Sequence, residues 1–211
     1  MSEIAVAHPP INVVDKRNVV ARISELHPVM LDLGCGQRKC SPQAIGIDAL
    51  DYESVDVVGD VFAVLQAFPD SSVDSVYSSH FFEHLENWPE LLEELARVMK
   101  PGAVADIVVP HFSNPYFYSD PTHRTFFGLY TFSYVSRDNL LRRKVPTYQR
   151  ELKFELTDAS LRFASPFYLR LPVKFLIGKI LNATRFTKEF YEENLCYIFP
   201  CYDIRYRLRR L

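Results

Sequence analysis

The twenty residues from Val29 to Asp48, VMLDLGCGQRKCSPQAIGID, constrain the fold more tightly than any other stretch. Two apolar runs, 29–33 and 44–48, are joined by a Gly34-Cys35-Gly36 turn and the short segment 37–43, which contains Pro42. Runs this short and this continuously apolar read as strands buried on both faces. Three more follow at 55–58, 73–78 and 103–109. Between the last two lies ENWPELLEELARVMK (86–100). There Leu91, Leu92, Leu95, Val98 and Met99 recur at helical spacing, and Pro101-Gly102 ends the run. Apolar strands alternating with helices predict a mostly parallel sheet with helices on both faces.

The flanking segments add to this frame. DKRNVVARISEL (15–26) predicts a helix capped by Asp15, with Val19, Val20, Ile23 and Leu26 on one stripe. PHFSNPYFYSDPTHRTFFGLYTFSYVS (110–136) is dense in aromatic residues and broken by prolines. It predicts a lid inserted after the fifth strand, over the carboxyl edge of the sheet. Residues 149–158 and the end of 194–211 alternate and predict two further strands, seven in all, the last antiparallel. A helix is expected over 166–185. At 211 residues, 48% hydrophobic and 24% charged, the chain suits one globular domain over 1–211 and excludes a disordered one. Its parts are a ligand-binding half over about 28–110, the insertion over about 111–148, and C-terminal strands with a basic helix over about 149–211.

In an open parallel sheet, ligands bind beyond the carboxyl ends of the strands, where strand order reverses. Gly34 and Gly36 follow the first strand and let backbone approach a ligand. Asp48 ends the second strand, where a carboxylate can accept two hydrogen bonds from a ribose diol. A nicotinamide dinucleotide is disfavoured. The third glycine of its fingerprint is replaced by Lys39, and Asp48 comes too soon after the turn. No Walker-type phosphate loop is present.

Taken together, VMLDLGCG, IGIDAL, VVGDVF, FPDSSVDSVYSSHFFEHL and ELARVMKPGAVADIVVP resemble, in order, the motifs of class I S-adenosylmethionine-dependent methyltransferases, type 11. The resemblance covers about residues 28–110. It implies a Rossmann-like sheet and S-adenosylmethionine as cofactor. The amino-acid end would lie on the backbone of Gly34, Cys35 and Gly36, with Asp32 near its ammonium. Asp48 and Ala49 would meet the ribose, Asp60 and Val61 the adenine, and Ser79, at the end of the fourth-strand segment, would also bind the cofactor. Adenosylmethionine carries no phosphate, so no third glycine is needed. One departure stands out: residues 37–43 are too few for the usual crossover helix, so a turn is expected there.

Methyl transfer to a hydroxyl benefits from a base. Of six histidines, His80, His84, His111 and His123 fall between 80 and 123. His80 and His111 follow the fourth and fifth strands, and His123 has Asp120 three residues before it, an arrangement in which the carboxylate orients the ring. His123, His111, Asp120 and His80 are therefore the catalytic candidates. His84 suits helix capping or pocket packing. Asp120-Pro121-Thr122 equally suits a turn that caps a helix from 123. No metal is expected. His111, Asp120 and His123 offer suitable ligand types but follow no known ligand spacing, and the C-x4-C pairs Cys35/Cys40 and Cys196/Cys201 are spaced widely for zinc.

The expected activity is O-methylation of a small molecule or glycan with a histidine base. The alternative is a catalytically silent, methyltransferase-like subunit that binds the cofactor or a partner protein. The net charge of −2 and the lack of an Asn-Pro-Pro-Tyr type motif disfavour nucleic acid. Residues 161–211 hold ten Lys/Arg against four Asp/Glu. This basic end fits weak membrane-surface contact, a homodimer contact or an ordinary solvated face. The first residues lack the basic start and apolar core of a secretory signal, and no apolar run approaches the ~20 residues of a membrane span, so the cytoplasm is the expected location.

Overall fold

The computed structural model describes residues 13–148 and 151–211. Residues 1–12, on which the reading of an absent secretory signal falls, and 149–150, which begin the expected strand 149–158, lie outside the described residues.

Along the chain the elements are β1 (Val14–Asp15), β2 (Met30–Leu33), β3 (Ile45–Asp48), β4 (Val57–Val58), α1 (Val61–Gln66), β5 (Val73–Ser79), α2 (Trp88–Val98), β6 (Met99–Pro110), β7 (Arg137–Asp138), β8 (Phe154–Arg162), α3 (Leu171–Leu181), α4 (Arg185–Asn194) and β9 (Asp203–Arg210). They build one sheet in the order β1-β4-β3-β2-β5-β6-β9-β8-β7. Strands β4, β3, β2, β5 and β6 run parallel, and β9 is antiparallel to both β6 and β8. The seven expected strands correspond to β2–β6, β8 and β9. β1 and β7 are two-residue additions at the two edges. From β2 the chain first builds outward through β3 and β4, then crosses back to β5 on the other side. The reversal lies at β2, so the glycine turn after it stands at the switch point.

Helix α2 forms as its pattern dictates. Leu91, Leu92, Leu95, Ala96 and Val98 are buried on one stripe, and Pro89 occupies its first turn. They pack with Leu31, Ile107, Phe127, Phe132 and Tyr206 in a continuous core. Each fully buried leucine contributes about 1.5–3 kcal/mol through removal of apolar surface from water.

Three expectations are corrected. No helix forms over 15–26: Asn18 takes a φ of 52°, outside the right-handed helical region, and only Ile23–Glu25 makes a 3-10 turn. Asp15 still acts as an acceptor, taking the N–H groups of Val19 (2.9 Å) and Val20 (2.8 Å). The helix expected over 166–185 is shorter, running from Leu171 to Leu181. Asn182 breaks it by binding the backbone of Leu161 in β8, and Thr184 then opens α4 with a reciprocal Thr184–Thr187 capping box. Finally, helices do not cover both faces throughout. Around Ser75, Tyr77, Asp106, Thr157, Arg207 and Arg209, strands β5, β6, β8 and β9 face a groove of about 710 Å³ to which no residue of α1–α4 contributes. The cause is the segment 37–43, which makes turns and bends where a crossover helix would lie.

Candidate active site

The glycine turn is built for close approach. Gly34 has a φ of 66°, and a Cβ there would stand 2.6 Å from the Phe81 side chain. Gly36 has a φ of 54° and no heavy atom within 4 Å of an added Cβ. The first glycine is thus demanded by packing and conformation, the second by conformation alone. Asp32 is buried beneath the turn and accepts the Cys40 N–H at 2.6 Å. Burial raises its carboxyl above the ordinary range, against the lowering effect of that hydrogen bond. The Cys35 thiol, pushed up to about 12 by burial, stays protonated. Asp32, Gly34, Cys35, Lys39 and Ser79 line a cavity of about 320 Å³.

Asp48 spans the turn from β3. Its carboxylate accepts the N–H of Gly36 at 2.8 Å and of Leu50 at 2.9 Å, which leaves lone pairs for a further donor. Ala49 follows it on the surface. Asp60 is engaged as the N-cap of α1, accepting from Phe62 and Ala63, and Val61 begins that helix, buried. Lys39, which occupies the third-glycine position, pairs with the buried Asp56 at 2.8 Å.

The histidines separate into two groups. His111 is fully buried. Its Nδ1 meets Ser113 Oγ at 2.8 Å and its Nε2 meets Glu192 of α4 at 3.1 Å, so both ring nitrogens are spent inside the protein. The others gather beyond β5. His80, half-exposed, takes a φ of 56°. Its Nδ1 lies 3.4 Å from Glu83 and its Nε2 3.6 Å from Asp203. Both carboxylates are buried, and Glu83 Oε1, Glu83 Oε2 and Asp203 Oδ1 accept no hydrogen bond. The contact with Glu83, followed by the charge of Asp203, holds the His80 imidazole above its ordinary value, and burial raises the Asp203 carboxyl. His123 stacks edge-on to His84 with ring centroids 4.9 Å apart, and its Nε2 lies 3.7 Å from Asp120. Asp120 and Thr122 form a turn, Thr122 donating both its N–H and its hydroxyl to Asp120. No helix starts at 123.

Sequence reasoning missed Glu83, Asp203 and Glu192. A signal for Glu83 existed. His80, Glu83 and His84 stand three and four residues apart, the spacing that puts side chains on one face of a helical turn, and residues 82–84 form a 3-10 turn. Asp203 and Glu192 come from distant elements that only folding brings near.

The aromatic insertion is stitched onto this edge. The N–H groups of Arg124 and Thr125 donate to the Glu83 carbonyl, and Thr125 Oγ1 donates to that of Leu85. Phe112, Phe126, Phe127, Tyr130 and Tyr134 line a groove of about 480 Å³ with Trp88. A second, of about 680 Å³, shares Tyr130, Arg143 and Glu192 with it and adds Phe186, Glu189 and Phe190. Arg143 lies over the Tyr130 ring, 5.1 Å from its centroid.

Residues 31–105, from β2 into β6, match a family described as methyltransferase domain, type 11. Its switch-point glycine turn and mostly parallel sheet give the chain the fold of class I S-adenosylmethionine-dependent methyltransferases, and the matched stretch is the part of the sheet that carries that turn. Among solved structures it is similar to a SAM-dependent methyltransferase from Archaeoglobus fulgidus, with a TM-score of 0.56 and 20% identity over 92% of this chain and 94% of that one. It is also similar to Haemonchus contortus phosphoethanolamine N-methyltransferase 2 in complex with S-adenosyl-L-methionine, with a TM-score of 0.52 and 15% identity over 91% of this chain and 51% of that one. At these identities the likeness is one of fold. No curated protein matches the chain.

Proposed function

We propose that the protein methylates a hydroxyl oxygen of a small molecule or glycan, with His80 as the general base. The observation that carries the reading is the joining of two half-sites along one sheet edge. Asp32, Gly34, Cys35 and Ser79 line one cavity, and His80 follows Ser79 directly. Asp32 and the 34–36 backbone would hold the amino-acid end of the cofactor, and Asp48 its ribose. The remaining acceptor on Asp32 beside the cavity, and the positive φ of both glycines, fit such a group. When bound, the cofactor supplies a methyl made electrophilic by its sulfonium.

The protein's part is alignment and proton handling. His80 is the exposed member of its cluster, with the flanking carboxylates of Glu83 and Asp203 able to stabilise the imidazolium it becomes. His111, enclosed and fully paired, holds the insertion to α4. Paired aromatic and charged residues in the two joined grooves support a polyhydroxylated acceptor, whose apolar face can lie on rings while its hydroxyls find Arg143 and Glu189. Helix α3 supports a weak membrane-surface contact. Val173, Phe175, Leu176 and Ile180 are exposed beside Lys174 and Lys179, with no acidic residue in the helix. No helix among the described residues is long and apolar enough to cross a membrane.

Calorimetric titration with S-adenosylmethionine tests the cofactor half of the site. Micromolar binding, weakened roughly tenfold or more in Asp48→Ala, is expected for a lost charge-assisted pair of hydrogen bonds. Unchanged affinity in the variant would remove the ribose role. Absence of binding to the wild type would favour a silent subunit.

A further inference from the structure

Glu83, His84 and His123 each offer a ligand atom, and these atoms lie within 4.8 Å of one another. We propose that these three side chains form a divalent transition-metal site that takes hold of the acceptor's oxygen. The argument concerns protons. His123 Nδ1 lies 2.9 Å from the Phe117 carbonyl, which can only accept. That nitrogen therefore carries the hydrogen, and Nε2 presents its lone pair. Thr122 Oγ1 spends its own hydrogen on Asp120 at 2.6 Å, so it accepts from His84 Nδ1 at 3.0 Å. His84 Nε2 then also presents a lone pair. The third member, Glu83, is wholly buried, and neither of its oxygens receives a hydrogen bond. Two imidazoles that each keep one nitrogen free of hydrogen thus stand with a buried carboxylate whose neighbour able to carry positive charge is the half-exposed His80, 3.4 Å away. Such a group is costly by itself, because one half-exposed imidazole offsets only part of the hydration that the buried Glu83 carboxylate loses. A cation removes the cost.

The surroundings have the form of an outer ligand shell. Asp120 through Thr122 orients His84, the Phe117 carbonyl orients His123, and the N–H groups of Arg124 and Thr125 fix the Glu83 backbone. Two imidazoles with one carboxylate suit zinc, manganese, iron(II) or cobalt(II) and not the all-oxygen preference of calcium or magnesium. Three protein ligands leave positions free. A hydroxyl bound there would lose its proton more readily, the O–H bond breaking and the proton passing to His80. This role rests on the proposed function; the binding of the metal does not.

The test uses the full chain after dialysis against chelator. Cobalt(II) alone is titrated and followed by calorimetry and by its visible absorption. One bound equivalent with a ligand-field spectrum is expected, and affinity should fall roughly tenfold or more in Glu83→Gln and in His123→Ala. His27→Ala, at an exposed site away from the cluster, should bind as the wild type does. Because a ligand variant can lose its fold, melting is recorded with and without zinc(II): the wild type should gain stability on zinc addition, and a folded Glu83→Gln should not. No binding to the wild type, or binding that both ligand variants retain, would overturn the site. Intact adenosylmethionine binding with no metal binding defeats this inference alone. Metal binding without adenosylmethionine binding defeats only the proposed function.

Discussion

His80 is held in a left-handed conformation that a residue with a Cβ adopts only under constraint, and such positions gather at sites of chemistry. The constraint is visible: its N–H donates to the Val108 carbonyl at 2.9 Å, and its ring stands between Glu83 and Asp203. His80→Gln keeps the size of the side chain and removes the base. Turnover is expected to fall by roughly 10²–10⁴, with the affinity for S-adenosylmethionine unchanged in calorimetry. Wild-type turnover in the variant would reduce His80 to a packing residue. At this scale residue type alone misleads. His111 and His80 look alike in sequence, each following a strand, yet one is enclosed by Ser113 and Glu192 and the other opens to solvent.

Helix α3 shows how an element can be legible in its formation and illegible in its partners. Its apolar content is high and spread around the helix, with Phe175 64% and Val173 61% exposed. Phe167, Tyr168 and Leu169 before it are exposed as well. Sedimentation with vesicles rich in anionic lipid is expected to retain the protein, and the double variant Phe175→Glu, Leu176→Glu to remain in the supernatant. Equal retention of both would remove the membrane contact. A concentration-dependent dimer in the wild type alone would assign the face to a second copy. The early end of the helix expected over 166–185 has a local cause that the pattern hid. Asn182 is a weak helix former, and its side chain finds both backbone groups of Leu161 across the fold.

Across the whole molecule the insertion is joined to the sheet through hydrogen bonds and shared core packing, and Tyr206 supplies both. Its side chain is fully buried, its ring lies 4.5 Å from that of Phe132, and its hydroxyl donates to the Gly128 carbonyl at 2.5 Å. Thr131 N–H also donates to that carbonyl, so Tyr206→Phe leaves an acceptor partly satisfied. The expected loss is about 1 kcal/mol in urea denaturation, with no change in the shape of the transition. A much larger loss would mean that the hydroxyl orders the insertion as a unit. The uncovered groove over β5, β6, β8 and β9 also belongs to this scale. It follows from seven residues at 37–43, too few to lay a helix across the sheet.

What the sequence by itself determined is everything local in origin. The parallel strands came from continuous apolar runs, helix α2 from its leucine spacing, and the glycine turn from residues that alone tolerate its φ values. The glycine turn and Asp48, where the cofactor is proposed to bind, were legible because one turn and the next strand end carry them. Tertiary structure decided which side chains meet around the histidines. Glu83 gains its meaning from His123, forty residues on, His111 from Glu192, and His80 from Asp203 on β9. Contacts between residues so far apart leave no period in the chain. Their geometry depends on where the sheet and the insertion bring the backbone, and their energetics on burial that no local pattern records.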